Sequence, residues 1–497
     1  MLMNSPSHGP LRDDGPSLNV AGRGRNRSVI TAVPAVMIAL GLSMPPAEAE
    51  EGAGLESCVR IALANNADFF VAQKDADLNR ARARIATLQL FPAAALKAEE
   101  TRGRADELNG TPSFVERLYG VQATQTLFQG GHRWATQRQA RTKADIGSLE
   151  VARQRNLLIF QVEEAYWRLS ALENAKAAYR ETSLALQDSL EKAARHELSD
   201  SPRARIEILS TRAQNRECEV ALAETEEAIL QARSRLLDLL GQNLPSFPAD
   251  PLPDVKKLSA EEDECLRLGR AHRPEPALAE KEARAAEWGR LAGRSALYPK
   301  VDLHGFYGRS GAAYDQSEPF HYQRDWNAGV RASWVFLGNT GGYSSSKEKT
   351  SPKLGESSRT ETQTQALRLS FADAFGPSLD NAEAQKAHWL GQRRLEKTRR
   401  HTDEDIRLTC RKLENAWKKT QSAQARLEQA QQEFTDTRYL LQEDKAHLGD
   451  IAAAVNRVGS ARADLSEARA NYRIAVADLN RAIGIPGHFK TEGDLKE

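Results

Sequence analysis

Apolar and polar positions alternate over residues 326–336. Trp326, Ala328, Val330, Ala332, Trp334 and Phe336 share one face of an extended strand, and Asn327, Gly329, Arg331 and Ser333 share the other. An apolar face of about ten residues with an aromatic at each end has the dimensions of a strand that crosses an outer membrane, where aromatic girdles mark the two interfaces. Residues 301–308 alternate too, with Val301, Leu303, Gly305 and Tyr307 set against polar neighbours. The same pattern occurs earlier in the chain. Tyr119, Val121, Ala123 and Leu127 face one way and Gly120, Gln122, Thr124 and Thr126 the other, after a weaker strand that begins at Ala93. Each pair of segments brackets a polar loop, so two hairpins are expected, at about 93–128 and about 300–336. Each ends in Phe-x-Gly, at Phe128 to Gly130 and at Phe336 to Gly338.

Beyond each hairpin the period changes. Residues 134–195 are rich in Ala, Gln, Glu and Arg and free of proline, which predicts one helix of about 90 Å. A turn at 198–202 precedes a return helix over 203–240, with Pro202 suited to its first turn and Gly241 to its C-cap. The second half repeats this, with a turn near Leu448, Gly449 and Asp450 and a return helix ending at Gly484. Duplication is also visible residue by residue. Cys58 and Cys265, Arg60 and Arg267, Ala72 and Ala279, Ala76 and Ala283, and Pro92 and Pro299 are all separated by 207 positions. The motif EAYW at Glu164 to Trp167 returns as ENAW at Glu414 to Trp417, 250 positions later, so the second copy carries 43 extra residues. These fall at about 338–380, a Gly/Ser/Lys-rich run and a Gly376-Pro377 break to which the pattern assigns no element. The chain therefore divides into repeat 1 (50–243), a proline-rich linker (244–258), repeat 2 (259–486) and a tail (487–497).

Composition narrows the class. Charged residues make up 28% of the chain and mean hydropathy is −0.58, which excludes a bundle of membrane-spanning helices. The one long apolar run, 29–42, is too short to span. It follows Arg23, Arg25 and Arg27 and leads to Ala47-Glu48-Ala49, the order of a secretory signal peptide over 1–49. Net charge is +1, so no basic excess points to nucleic acid. The four cysteines (Cys58, Cys218, Cys265, Cys410) lack CxxC or Cys/His ligand spacing. Cys58 reads as an ordinary helix residue. Histidines lack HxxxH spacing, and GxGxxG and GxxxxGK are absent. No metal site, no cofactor and no enzyme chemistry are expected.

In the order of its motifs the chain resembles the TolC-type outer membrane efflux family. The resemblance rests on the signal peptide, the IALANNAD opening, the QATQTLFQGG strand end, EAYW, and two repeats of helix, hairpin, long helix and return helix, over about 55–485. It implies a mainly α fold with a small transmembrane β-barrel. Three chains of four strands would close one twelve-strand barrel, continued by an α-helical tunnel through the periplasm. It implies a homotrimer, a periplasmic membrane-fusion adaptor and an inner-membrane transporter as partners, and outer membrane lipid around Tyr119, Val121, Ala123, Leu127 and the Trp326 to Phe336 face. Function would then be passive export through a duct. It also implies a periplasmic aperture near the helix turns, with Glu207 acidic and Arg212 basic, and Asp200 and Asp450 as the other turn-proximal acids. Val455 and Val458 stand where the family's aspartates would be. The rival reading is a periplasmic coiled-coil adaptor without a pore, for which the long helices suffice. The hairpins discriminate, because an adaptor has no need of lipid-facing strands. Four strands alone leave unpaired edges that cannot stay open in lipid, so closure with other chains follows.

Overall fold

The computed structural model describes residues 54–104, 113–196, 202–242, 252, 254–314, 321–351, 358–443 and 445–490. The expected signal peptide and Asp200 lie outside them, as do parts of the linker and tail.

Helices α1 (Leu55–Asn65) and α2 (Ala67–Leu88) break at Asn66, whose backbone is extended and whose side-chain oxygen accepts from Phe69 N at 3.0 Å. This is an N-cap, and the Asn65-Asn66 pair in the sequence marks it. Strands β1 (Ala93–Arg104) and β2 (Ser113–Gln129) follow, then α3 (His132–His196) and α4 (Pro202–Leu240). With 65 residues, α3 is about 98 Å long. Gly241, at φ 67°, ends α4. The second repeat opens with α5 (Glu262–His272) and α6 (Pro274–Ser295), broken at Arg273, with proline in the first turn of α6. Then come β3 (Lys300–Tyr314) and β4 (Gln323–Phe336).

The extra 43 residues of this repeat hold structure. Leu337 and Gly338, at φ 47° and 77°, make a two-residue turn of the kind that matches strand twist, and the chain runs on into β5 (Asn339–Thr350) and β6 (Thr360–Ser370). Among the described residues, one antiparallel sheet of order β1-β2-β3-β4-β5-β6 results. The expectation of one hairpin per repeat is thus corrected: repeat 2 has two, and a chain supplies six strands where a twelve-strand trimer needs four. Gly376-Pro377 is the start of α7 (Gly376–Gln442), not a break within a loop. The last helix, α8 (Leu448–Ile483), begins at the residues read as a turn, and α7 ends ahead of it at Gln442.

The third hairpin is tied down at its far end by Asp325, 5% exposed on β4. Its carboxylate accepts from Ser310 Oγ on β3, and from Ser351 N at 2.8 Å and Ser351 Oγ at 2.6 Å beyond β5. At the helix end, Trp334 lies over Gly341, where an added Cβ would meet the indole at 2.4 Å.

Long helix α3 packs against α2, α6, α4 and α8, and α7 against α6 and α8. Small residues set these contacts. An added Cβ on Gly147 of α3 would meet Ala76 of α2 at 3.0 Å, and one on Gly391 of α7 would meet Ala283 of α6 at 3.3 Å. Ala76 and Ala283 are the same position of the two repeats. Each repeat also has its own apolar core about its first helix. Cys58 is buried with Val162, Ala165 and Trp167, and Cys265 with Ile406, Leu413 and Leu479. Burial pushes the Cys58 thiol up to about 11, which makes it a small core hydrophobe.

Candidate functional site

Strand register assigns each side chain to a face. Leu96, Val121, Tyr307 and Trp326 form one continuous row across β1 to β4; Leu303 lies opposite Val330, and Val301 opposite Ala332. Tyr119, Ala123, Ala328 and Trp334 lie on this same face. A β-bulge between Thr126 and Phe128 makes Leu127 the extra residue, so Phe128 stands opposite Val301. The opposite face is polar. Thr126 donates to Asp302 at 2.6 Å, Arg331 stands opposite Asp302, and Asn327 donates to Glu348 at 3.3 Å. Aromatics on this face include Phe114 and Tyr314, which stand opposite each other, and Phe306, lying over Gly120 and Gly308, where an added Cβ would meet its ring at 2.5 and 2.6 Å.

The strands run 11 to 17 residues, longer than the ten-residue segments the alternation marks. On β2, β3 and β4 the excess lies beyond Tyr119, Tyr307 and Trp326, at the end away from the helices. The apolar face thus has aromatics at both limits, with Phe128, Trp334 and Phe336 toward the helices. On β5 and β6 that face changes character. Tyr343, Leu367 and Leu369 continue it near the helices, but Lys349 stands opposite Trp326 and Lys347 opposite Ala328. Both lysines pair with Glu361, at 3.7 and 2.6 Å.

Both edges of the sheet are bare. Strands β1 and β6 are exposed along nearly their whole length. The helices beside them expose large apolar side chains, among them Phe70, Val71 and Ile85 on α2 and Trp389 and Leu379 on α7.

At the other end of the helices, Glu207 meets His447, with Nδ1 to Oε1 at 3.1 Å. Sequence reasoning passed over His447. It precedes α8 in a turn, and nothing in the sequence shows that this turn lies beside α4. Arg212 was expected to balance Glu207, and the structure does not bring them together. Five residues apart, they sit about 140° around α4, and Arg212 is exposed with no carboxylate at ion-pair distance among the described residues. Asp450 caps α8, accepting from His447 N at 2.9 Å. Val455 packs with Leu186, Cys218 and Ala452, and Val458 with Ala461 and Leu465, so both serve helix packing.

The EAYW and ENAW motifs converge on consecutive residues of α8. Trp167 lies under the Arg473 guanidinium at 4.3 Å, and Trp417 packs on Tyr472 at 5.4 Å. Tyr472 in turn receives Leu258 N at 2.8 Å and donates to Lys256 O at 3.0 Å, docking the segment between the repeats onto α8. No helix among the described residues is long and apolar enough to cross a membrane, and none of their His, Cys, Asp and Glu side chains cluster as a metal site.

The family model described as outer membrane efflux protein matches residues 58–242. Among solved structures, the chain is similar to the MtrE outer membrane channel of Neisseria gonorrhoeae in its open state, at 19% identity and TM-score 0.68 over 87% of this chain and 89% of that one. It is also similar to the CmeC outer membrane channel of Campylobacter jejuni (13%, TM-score 0.69, 89% and 88%) and to the outer membrane protein VceC of Vibrio cholerae (15%, TM-score 0.66, 87% and 96%). At such identities the likeness is one of fold. No curated protein matches the sequence.

Proposed function

We propose, for a chain that belongs to the TolC-type outer membrane efflux family, that it is an outer membrane channel, the passive exit duct of a tripartite export machine. Its strands cross the outer membrane and its helices extend into the periplasm, where an adaptor and an inner-membrane transporter supply cargo and energy. The observation that carries this reading is the sheet. One face is apolar between two aromatic rows, the other is polar, and both edges are unpaired. A sheet of this kind is stable in lipid only when closed, and a coiled-coil adaptor has no use for it.

Closure by three copies, in a ring where β6 of one meets β1 of the next, joins eighteen strands. With strands about 4.8 Å apart and tilted about 40°, such a barrel has a backbone diameter of about 36 Å, against about 24 Å for twelve strands. Four helices side by side per chain (α2, α3, α6, α7) give a twelve-helix wall about 31–38 Å across at interaxial distances of 8–10 Å. The third hairpin thus brings barrel and tunnel to one width. Single-channel recording in planar bilayers tests this. Purified protein of trimer mass is expected to conduct, and electron microscopy of a variant lacking residues 339–370 to show a barrel about 24 Å wide in place of about 36 Å. Absence of conductance from trimeric protein, or an unchanged barrel width after the deletion, refutes the duct or the widened barrel respectively.

A further inference from the structure

On the Trp face, one step beyond the outer aromatic row, Arg309 of β3 and Arg324 of β4 are direct register partners. Like charges placed directly opposite on neighbouring strands destabilise a sheet. No carboxylate lies within ion-pair distance of either guanidinium among the described residues, whereas nearby charges are matched. Arg117 pairs with Glu100 at 2.8 Å, Arg102 with Glu100 at 2.6 Å, and Lys347 and Lys349 share Glu361. Arg359 adds a third guanidinium, donating to the Arg324 carbonyl.

Arg309 and Arg324 line a cleft of about 480 Å³ whose other walls are Tyr119, Tyr307 and Tyr322. Tyr322 folds back over the strands, with its ring centroid 6.1 Å from that of Tyr119 and its edge against Gly311. Two unmatched guanidinium forks between aromatic walls suit a phosphate carried on a ring. Arginine binds phosphate bidentately, and tyrosine faces cover a sugar. The position selects the source. If the Trp face meets lipid, the cleft stands at the headgroup level of the outward leaflet, on the outside of the barrel and away from the duct.

We propose that this cleft holds the phosphate of an outer-leaflet phosphoglycolipid, one per chain. The proposal rests on the membrane reading of the sheet. Bound there, the phosphate neutralises the Arg309–Arg324 repulsion and fixes the depth of the barrel.

Native mass spectrometry of the detergent-purified full-length assembly tests it, with bisphosphorylated lipid A, its dephosphorylated form and inorganic phosphate as probes. Wild type is expected to retain bisphosphorylated lipid A. The Arg309→Ser/Arg324→Ser variant should bind it at least about tenfold more weakly, each lost charge-assisted pair contributing. Arg331→Ser, on the polar face, should leave binding unchanged, and Arg309→Lys/Arg324→Lys should restore it in part, which separates lost charge from lost folding. Undiminished binding in the serine variant, or equal binding of dephosphorylated lipid A, overturns the proposal. Retention of inorganic phosphate with no preference for lipid A reduces the cleft to an anion site and overturns the lipid assignment. Bilayer conductance of the same preparations scores the channel reading separately, since lipid binding that depends on these arginines can be present or lost in protein that conducts.

Discussion

Strands β4 and β5 are hydrogen-bonded neighbours from Trp326↔Lys349 to Phe336↔Asn339, yet they present opposite chemistry to the same side. β4 offers Trp326, Ala328, Val330, Ala332 and Trp334; β5 offers Lys349, Lys347, Ser345, Tyr343 and Gly341. The difference shows that membership of this sheet does not depend on an apolar face. β3 and β4 join because their apolar residues coincide in register. β5 joins through a tight turn at one end, a carboxylate clamp at the other, and backbone pairing between. On the third hairpin the apolar band covers only the half nearer the helices, and its remaining height is occupied by the Lys–Glu pairs.

The largest effect that can break this comparison is a charge at the centre of the apolar face. Val330→Arg is expected to cost about 2–4 kcal/mol per chain, seen as loss of assembled trimer after urea titration of membranes. Arg331→Gln, one residue along on the polar face and without a new charge opposite Asp302, should assemble nearly as wild type. Equal damage from both would remove the assignment of faces. Ser345 is the direct partner of Val330, so Ser345→Leu probes the third hairpin at the same depth. Adding apolar surface there should stabilise assembly by about 1 kcal/mol if it meets lipid. No gain would show that this part of β5 is covered by something other than acyl chains.

Next in size is the clamp. Asp325→Ala leaves Ser351 N and two hydroxyls without their acceptor, a loss of about 1–3 kcal/mol centred on the third hairpin and on Ser310 of β3. Hydrogen exchange should quicken across β5 and β6 and stay unchanged across β1 and β2. Uniform quickening over all six strands would mean that the hairpin is no separate unit.

The same contrast explains what the sequence could show. Hairpins β1–β2 and β3–β4 were legible because period-two alternation is a local signal, and the repeat was legible because Cys58, Ala76 and Pro92 recur 207 positions on. NTGGYSSSKEKT, the whole of β5, has no such alternation, and its strand character is imposed by β4 and Asp325. Its omission led to a count of four strands per chain where the sheet has six. The turns failed for a related reason. Glu207 was singled out as a turn-proximal acid, and its basic partner was sought along α4, where Arg212 faces another way. The contact that forms lies across the turn, on a residue 240 positions distant.

The smallest effect concerns that contact. Glu207 and His447 are partly exposed, so with the imidazole protonated their attraction is worth about 0.2–1 kcal/mol per chain. The pair joins α4 to the start of α8, the two helices that meet at the periplasmic end in the proposed duct. Loss of it in three chains at once weakens a closed ring by the sum. His447→Ala is therefore expected to raise single-channel conductance about twofold or more at low ionic strength. In 1 M salt, where the screening length is about 3 Å, the difference should largely vanish. Arg212→Ser should leave conductance unchanged in both conditions, because no carboxylate of the described chain meets it. If Arg212→Ser opens the channel and His447→Ala does not, the control of this end lies in contacts between chains and not in the α4–α8 pair.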